Sequence, residues 1–287
     1  MIQNSFTIEG VYIEGAYTEE SILATRDFQG RERDIYLTTF PRTGTTWTQS
    51  ILVGMVYGLE ELSKTGVVEM RTTFPNLELH FIDEGCGYKL AHQITRTPRM
   101  MKNHLPPHLA PREIFSHLRK NILVVRNPKD TALSHFNFYK TERTLKGFMK
   151  TDNLEEFLNL FLEGKVFYGS WWDWNKAWIK KYRDFNENNL LVHYEDLYQN
   201  FEKTVSEIGN FLDLTHADHL YVRELRKLTS LDSMKVRYEK SSPLEKGMVN
   251  KGELNAWKRK FTAEMSEKFD EMTRKTFQDD EILAKFL

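Results

Sequence analysis

The sequence is poor in cysteine and has no excess of either charge. Among its 287 residues only Cys86 is a cysteine, so no disulfide can form within the chain, and a reducing compartment such as the cytoplasm is expected. Its 40 Lys and Arg residues stand against 41 Asp and Glu residues, a net charge of −1. This balance argues against the broad basic surface that a nucleic-acid partner would need.

Long apolar runs are also missing. The longest, Ile51–Leu59, is far shorter than the roughly 20 residues of a membrane span, so we expect no membrane partner. The first residues lack a basic segment followed by an apolar one, and we therefore expect no secretory signal. Because no repeat, low-complexity tract or Gly/Ser/Pro linker interrupts the chain, we predict one domain over residues 1–287.

A strand followed by a helix recurs along the chain. Apolar runs typical of buried parallel strands cover Asp34–Phe40, Asn121–Arg126 and Asn189–Tyr194. Helical spacing of apolar residues predicts a helix after each of these strands and three more elsewhere: Thr45–Leu59, Lys129–Thr144 and Phe201–Leu212, then Leu154–Glu163, Trp171–Tyr182 and Thr262–Phe277. The pattern predicts an α/β fold with a central parallel sheet flanked by helices, which binds ligands at the carboxyl ends of its strands.

The turn after the first predicted strand has the composition of an anion site. Pro41 ends the strand, Gly44 permits an unusual backbone angle, and three threonines supply hydroxyls. The unpaired N–H groups at the start of the next helix attract anions, and Arg42 adds a cation. This is not the nucleotide-triphosphatase loop, because no Lys-Ser/Thr pair follows the glycine. A threonine-capped helix after a tight turn is the alternative.

Phe40–Trp47 resembles the 5′-phosphosulfate loop of cytosolic sulfotransferases, usually written Y-P-K-S-G-T-T-W. The resemblance implies the donor 3′-phosphoadenosine 5′-phosphosulfate (PAPS), the product adenosine 3′,5′-bisphosphate (PAP), and no metal. It implies a phosphate-loop-like segment that binds the donor through Arg42, Thr43, Gly44, Thr45, Thr46 and Trp47. Arg42 replaces the family's lysine. Arginine keeps the charge, but its pKa above about 12 prevents it from acting as a general acid.

Met101–Pro106 is similar to the family's K-T-H-L-P segment, which carries the catalytic histidine. The resemblance makes His104 the general base for the acceptor hydroxyl, a role that suits an unperturbed pKa of about 6.5. It places Lys102 beside the reacting groups. His104 and His108 are separated by two prolines and are not expected to share a helix face, so we predict no zinc site.

Further segments extend the resemblance to the nucleotide. Val124–Ser134 is similar to the 3′-phosphate segment, which assigns Arg126 and Ser134 to that phosphate. His193–Leu197 matches the Y-E-D segment and Lys227–Leu231 the segment that closes over adenine. In the C-terminal loop, Lys251 and Gly252 match the lysine and glycine of the family's R-K-G segment, and Asn250 replaces its arginine. The resemblance thus adds the donor-binding residues Tyr194, Thr229, Leu231, Asn250, Lys251 and Gly252.

The acceptor pocket and the oligomeric state are less specified. The resemblance places Phe138, Asn76 and Leu79 in the acceptor pocket, the last two where the family has phenylalanine. A small alcohol or phenol, an amine-bearing phenol and a sterol all remain open as acceptors. Lys258–Glu267 partly resembles the family's dimerisation motif, which implies a weak homodimer. The start of an ordinary amphipathic helix is the alternative.

The resemblance implies sulfuryl transfer from PAPS to a hydroxyl or amine of a small acceptor. At Leu231 the family usually has phenylalanine. One alternative is a nucleotide-binding protein that has lost transfer through its substitutions at Arg42, Leu231 and Asn250. Another is a small-molecule kinase, which would require a Walker-type lysine and magnesium ligands that the sequence does not show.

Overall fold

The computed structural model describes residues 4–15, 17–81, 85–141, 151–214, 218–241, 252–277 and 280–286. Its strands are β1 (Asn4–Ile8), β2 (Val11–Gly15), β3 (Ile35–Thr39), β4 (His80–Phe81), β5 (Gly85–Cys86), β6 (Met100–Asn103), β7 (Lys120–Val125) and β8 (Asn189–His193). Its α-helices are α1 (Glu19–Arg26), α2 (Thr45–Tyr57), α3 (Leu59–Lys64), α4 (Val67–Thr73), α5 (Gly87–Gln93), α6 (Pro128–Thr141), α7 (Leu154–Leu162), α8 (Trp171–Asp184), α9 (Tyr194–Gln199), α10 (Phe201–Phe211), α11 (His219–Leu228), α12 (Leu231–Ser241), α13 (Ala263–Phe277) and α14 (Glu281–Ala284).

A parallel sheet of four strands, in the order β6-β3-β7-β8, lies at the centre of the fold. The predicted α/β class is confirmed, as are the three predicted strands, each within one residue of its predicted ends. The prediction missed β6, which pairs with β3 at the sheet edge, and the antiparallel hairpin β1–β2. The first predicted helix ends earlier than expected, because Gly58 turns the backbone with φ +94° and α3 begins just after it.

Both faces of the sheet are buried. Alternate strand residues point in opposite directions, so Leu37 and Val124 join one apolar cluster while Tyr36 and Leu123 join the other. The second of these clusters is rich in aromatic residues and includes the fully buried Trp171 of α8. Near-continuous apolar strands are expected when helices cover both faces.

A chain of buried side-chain hydrogen bonds crosses all four strands. Asn103 of β6 donates to the Thr38 hydroxyl (3.0 Å), which donates to Asn121 of β7 (2.7 Å), which donates to Asn189 of β8 (2.7 Å). Buried polar groups stabilise a fold only when they are paired, and these pairs exist only in the observed register. Within the described ranges, no helix combines the length and apolarity needed to cross a lipid bilayer.

Candidate active site

A cavity of about 1580 Å³ lies where the carboxyl ends of the parallel strands meet the helices that follow them. It brings together nearly all the predicted site residues that the structure describes, although they come from distant parts of the chain. Its lining includes Arg42, Gly44, Thr45, Thr46, Trp47, Asn76, Leu79, Lys102, His104, Arg126, Ser134, Phe138, Tyr194, Thr229, Leu231 and Gly252. Thr43 is not part of the lining, and Asn250 and Lys251 lie outside the described residues.

The loop between β3 and α2 exposes the helix N-terminus to this cavity. Gly44 has φ +100°, and a Cβ there would lie 2.4 Å from the Tyr194 ring, so only glycine fits. Thr43 is buried, and its hydroxyl donates to the Phe40 carbonyl (2.7 Å), which holds the turn together. The 13-residue helix α2 begins at Thr45. Its first N–H groups have no partner within the helix and carry the positive end of the dipole.

Arg42 contacts two other residues of the cavity, Ser134 and Phe138. Its Nε donates to the Ser134 hydroxyl (3.3 Å), and its guanidinium lies 4.3 Å from the centre of the Phe138 ring. Ser134 and Phe138 are one turn apart on α6. The residue that replaces the family's lysine thus contacts one predicted phosphate-binding residue and one predicted acceptor-pocket residue.

Arg126 is held just after β7 by both of its terminal nitrogens, which leaves its Nε for another partner. Its two terminal nitrogens donate to the carbonyls of Arg42 (3.1 Å) and Glu253 (3.2 Å), and its guanidinium stacks 4.2 Å from the Tyr194 ring. Its Nε is buried and has no hydrogen-bond partner among the described residues. A buried guanidinium with an unused donor is suited to a phosphate oxygen.

Aromatic rings form a wall next to this arginine. Trp47 contacts Tyr194 edge-on (5.5 Å between ring centres) and stacks on Phe201 (6.2 Å, 25° between planes). The Tyr194 hydroxyl donates to the Gly252 carbonyl (2.7 Å), which ties the C-terminal loop to the wall. Thr229 follows the last residue of α11, and its hydroxyl donates to the Leu225 carbonyl of that helix (2.8 Å).

Hydrogen bonds fix the orientation and tautomer of His104. Its Nδ1 lies 2.8 Å from the Thr39 carbonyl oxygen, which can only accept, so Nδ1 carries the hydrogen and Nε2 keeps the lone pair. Burial, reinforced by the positive charges of Lys102 and Arg42, lowers the pKa of His104 to about 3. The imidazole is therefore neutral near pH 7, the form that can accept a proton.

Lys102 is held by a relay of side-chain bonds. Its Nζ donates to the Gln49 side-chain oxygen (3.2 Å), and the Gln49 amide donates to the Phe74 carbonyl (3.1 Å). The ammonium group thus lies between α2 and β6 on the same cavity wall as His104.

Comparison with known proteins identifies the family. The model of the sulfotransferase domain family matches residues 32–281. The chain belongs to the sulfotransferase family. It is 34% identical to sulfotransferase 1B1 of Mus musculus over 266 residues (87% of this chain and 84% of that protein), and 29% identical to cytosolic sulfotransferase 1 of Danio rerio over 288 residues (96% and 92%). It is also similar to the crystal structure of mouse sulfotransferase SULT7A1 complexed with PAP, with a TM-score of 0.82 and 25% identity over 98% of both chains.

The predicted acceptor-pocket residues of this sulfotransferase, Asn76, Leu79 and Phe138, all line the cavity. Asn76 pairs with Lys102 through an isolated parallel bridge, which sets it beside β6, the strand that ends just before His104. Its side-chain oxygen is buried and has no hydrogen-bond partner among the described residues. Leu79 and Phe138 are partly buried against the aromatic cluster.

Sequence reasoning missed several residues of the sulfotransferase site. Phe201 extends the aromatic wall, and Glu195 accepts from the Asn127 N–H (2.9 Å) next to Arg126. Ser170 caps α8, and the ring of Tyr168, two positions earlier, lies 5.4 Å from the His104 ring. The tyrosine and the histidine are far apart in sequence, so no local pattern could have joined them.

The predicted dimerisation segment of the sulfotransferase, Lys258–Glu267, runs from a 3-10 helix (Ala256–Arg259) into the start of α13. Lys258, Thr262 and Glu267 are all exposed. A homodimer through this segment stays a prediction. Among the described residues, no group of three or more His, Cys, Asp or Glu side chains is arranged to hold a metal ion.

Proposed function

We propose that this sulfotransferase transfers the sulfuryl group of PAPS to a hydroxyl or amine of a small acceptor, with His104 as the general base. The observation that carries the proposal is the orientation of His104. Its Nδ1 is engaged by the Thr39 carbonyl, so the lone pair of Nε2 is available in a cavity that also contains Arg42 and Lys102. A neutral, fixed imidazole beside cations is what deprotonation of a hydroxyl next to an anionic donor requires.

The cavity fits the nucleotide of PAPS. The unused Nε of Arg126 and the hydroxyl of Ser134 suit the 3′-phosphate, and the N-terminus of α2 suits the phosphosulfate. The rings of Trp47 and Tyr194 offer an apolar surface for adenine. We assign to donor binding the predicted set Arg42, Thr43, Gly44, Thr45, Thr46, Trp47, Arg126, Ser134, Tyr194, Thr229, Leu231, Asn250, Lys251 and Gly252.

PAPS supplies an activated sulfuryl group and a phosphate leaving group on which negative charge grows. Arg42 and Lys102 stabilise that charge together with the N–H groups of Thr45 and Thr46. Arg42 cannot release a proton to the leaving oxygen, so any proton donation falls to Lys102.

His104 takes the acceptor proton on Nε2, and the Thr39 carbonyl stabilises the imidazolium through Nδ1–H. A pKa of about 3 would make His104 a weak base. However, a bound polyanion offsets the charges of Lys102 and Arg42, two of the causes of that low pKa, and so makes the imidazole a stronger base.

The acceptor is a small molecule, bound against Phe138, Asn76 and Leu79. The side-chain oxygen of Asn76, which has no hydrogen-bond partner among the described residues, favours an acceptor with a hydrogen-bond donor near the reacting hydroxyl. A buried oxygen without a partner costs free energy, and such an acceptor would remove that cost. We further propose that the protein works in the cytoplasm, as its single cysteine predicts, and that a weak homodimer forms through Lys258–Glu267.

Radiolabelled PAPS incubated with matched phenols, sterols and phenolic amines tests the function. We expect label in a small-molecule product, and an undiminished rate in EDTA, since no residue role above uses a metal. PAP binding without transfer to any acceptor would favour a nucleotide-binding protein. Loss of activity in EDTA would point to a metal-dependent reaction such as that of a kinase.

A further inference from the structure

Glu78 is a fully buried carboxyl group next to the acceptor pocket, and the mechanism above gives it no role. It lies between the cavity residues Asn76 and Leu79, with 0% of its surface exposed, yet it does not line the cavity. Buried acidic side chains are rare and need polar partners. Burial raises the pKa of Glu78 to about 7, because a buried site disfavours the charged carboxylate.

The partners of Glu78 lead to His104. One carboxyl oxygen of Glu78 accepts from the backbone N–H of His104 (2.8 Å) and from the Tyr168 hydroxyl (2.9 Å). The other oxygen is buried and has no hydrogen-bond partner among the described residues. A single oxygen of Glu78 therefore joins the backbone of the catalytic histidine to Tyr168, which lies 90 positions after Glu78 in the sequence.

Tyr168 is itself held in an unfavourable conformation against the His104 ring. Its φ is +68°, a region that bulky side chains rarely adopt. Its N–H donates to the Tyr12 carbonyl (2.9 Å), its hydroxyl donates to Glu78, and its ring packs edge-on to the imidazole. Burial raises the pKa of Tyr168 well above its usual value, so the hydroxyl remains a donor. Strain of this kind persists only where surrounding contacts enforce it.

Two further hydrogen bonds hold the backbone carbonyl and the Nδ1 atom of His104 in place. Trp174 donates from its indole nitrogen to the His104 carbonyl (2.8 Å), and Nδ1 donates to the Thr39 carbonyl (2.8 Å). Glu78 completes the set: among the described residues, it alone both accepts from the His104 N–H and anchors the ring that packs on the imidazole.

We propose, on the basis of the function proposed above, that Glu78 is a positioning residue for His104. It fixes the imidazole through the His104 N–H on one side and the Tyr168 ring on the other, and thereby aims Nε2 at the acceptor. Glu78 does not touch the donor. Its loss should therefore lower turnover and leave the affinity for PAP unchanged.

The test compares Glu78→Gln with Glu78→Ala. Glutamine retains an oxygen that can accept from both donors, so Glu78→Gln should keep kcat close to that of the unsubstituted protein. Glu78→Ala removes this oxygen and should lower kcat by about 10- to 100-fold, the usual effect of a misplaced catalytic group, with an unchanged Kd for PAP. Tyr168→Phe, which removes only one hydroxyl, should lower kcat less than Glu78→Ala does.

Ile208→Ala controls for lost stability, because Ile208 is fully buried in the cluster on the other face of the sheet. Ile208→Ala should lower the melting temperature, and kcat should be unchanged at temperatures below thermal unfolding. The proposal is overturned if Glu78→Ala retains full kcat, or if Glu78→Gln is as impaired as Glu78→Ala. His104→Ala shows whether a negative result concerns Glu78 alone or the proposed function as well. If His104→Ala also keeps full kcat, the assignment of His104 as the base is wrong.

Discussion

Arg42 stands where the sulfotransferase pattern has lysine, and its contacts show what the exchange changes. The guanidinium stacks on the Phe138 ring and donates a hydrogen bond to the Ser134 hydroxyl. A lysine could not make this stacking contact and this hydrogen bond in the same way. In return, the chain gives up an ammonium group that could release a proton to the leaving oxygen. We therefore propose that Arg42 contributes charge stabilisation and pocket shape rather than acid catalysis.

Arg42→Lys should keep or raise the transfer rate, because lysine restores the proton donor and keeps the charge. Arg42→Met, which removes the charge, should lower kcat by about 10²- to 10³-fold, as removal of one stabilising donor does in other enzymes. Steady-state kinetics of both variants with PAPS provide the measurement. Loss of activity in Arg42→Lys would mean that the guanidinium itself has a specific role.

His135, next to Ser134, lies in the aromatic core rather than in the cavity. It is 0% exposed, neither ring nitrogen has a hydrogen-bond partner among the described residues, and Tyr139 stacks on it at 5.2 Å. Burial, helped by the charge of Arg42, lowers its pKa to about 3. Below about pH 6.5, His135 therefore binds a proton in the unfolded chain but not in the folded chain. The free energy of unfolding falls as the pH drops below that value.

His135→Phe should stabilise the protein by about 1–3 kcal/mol, the cost of an unsatisfied buried polar group. Thermal unfolding should also become less sensitive to pH between about 6.5 and 3, because one histidine that favours the unfolded state at acid pH is gone. Melting curves at neutral and acid pH measure both effects. A lower melting temperature at neutral pH would show that the imidazole makes a stabilising contact.

At the scale of elements, the loop between β3 and α2 brings the helix N-terminus to the cavity only because Gly44 adopts φ +100° against the Tyr194 ring. A side chain at this position meets both a disfavoured backbone conformation and a clash at 2.4 Å. The loop and the aromatic wall are thus parts of one arrangement.

Gly44→Ala should weaken PAP binding by roughly 10-fold or more, equivalent to about 1.4 kcal/mol per factor of ten. Gly58→Ala is the matched control, because Gly58 also has positive φ (+94°) but has nothing within 4 Å of its Cβ position. It should lower stability and leave the Kd for PAP unchanged. Equal losses of PAP affinity in the two variants would contradict the role given to the loop.

The elements differ in how far the sequence predicts them. β3, β7 and β8 could be predicted because strands buried on both faces are continuously apolar. β6 (Met100–Asn103) could not, since it is four residues long and no α-helix lies between it and β7. The hairpin β1–β2 was missed although Phe6, Ile8, Val11 and Ile13 alternate with polar residues around Gly10.

The residues of the candidate site also differ in how far the sequence predicts them. Its cavity residues occupy motifs at strand ends, which local sequence patterns and the family resemblance reveal. The contacts that orient those residues do not follow from local patterns, because they join distant segments. Glu78 and Tyr168 are 90 positions apart, and the stacking of Arg42 on Phe138 depends on how α6 packs beside the loop.

At the scale of the molecule, the sheet concentrates charge that the composition hides. The net charge is −1, yet Arg42, Lys102 and Arg126 meet in one cavity because parallel strands end at the same edge. The buried chain from Asn103 to Asn189 fixes the strand register, and with it the positions of these cations and of His104. The site is therefore a consequence of the whole sheet.

The rate of a single turnover in His104→Ala, with labelled PAPS and a saturating phenol, tests the central claim most directly. His108→Ala serves as the control, since His108 is exposed and four positions away. We predict that His104→Ala reduces the transfer rate by about 10²- to 10⁴-fold with PAP affinity unchanged, while His108→Ala matches the unsubstituted protein. Transfer by His104→Ala at a near-normal rate would contradict the account.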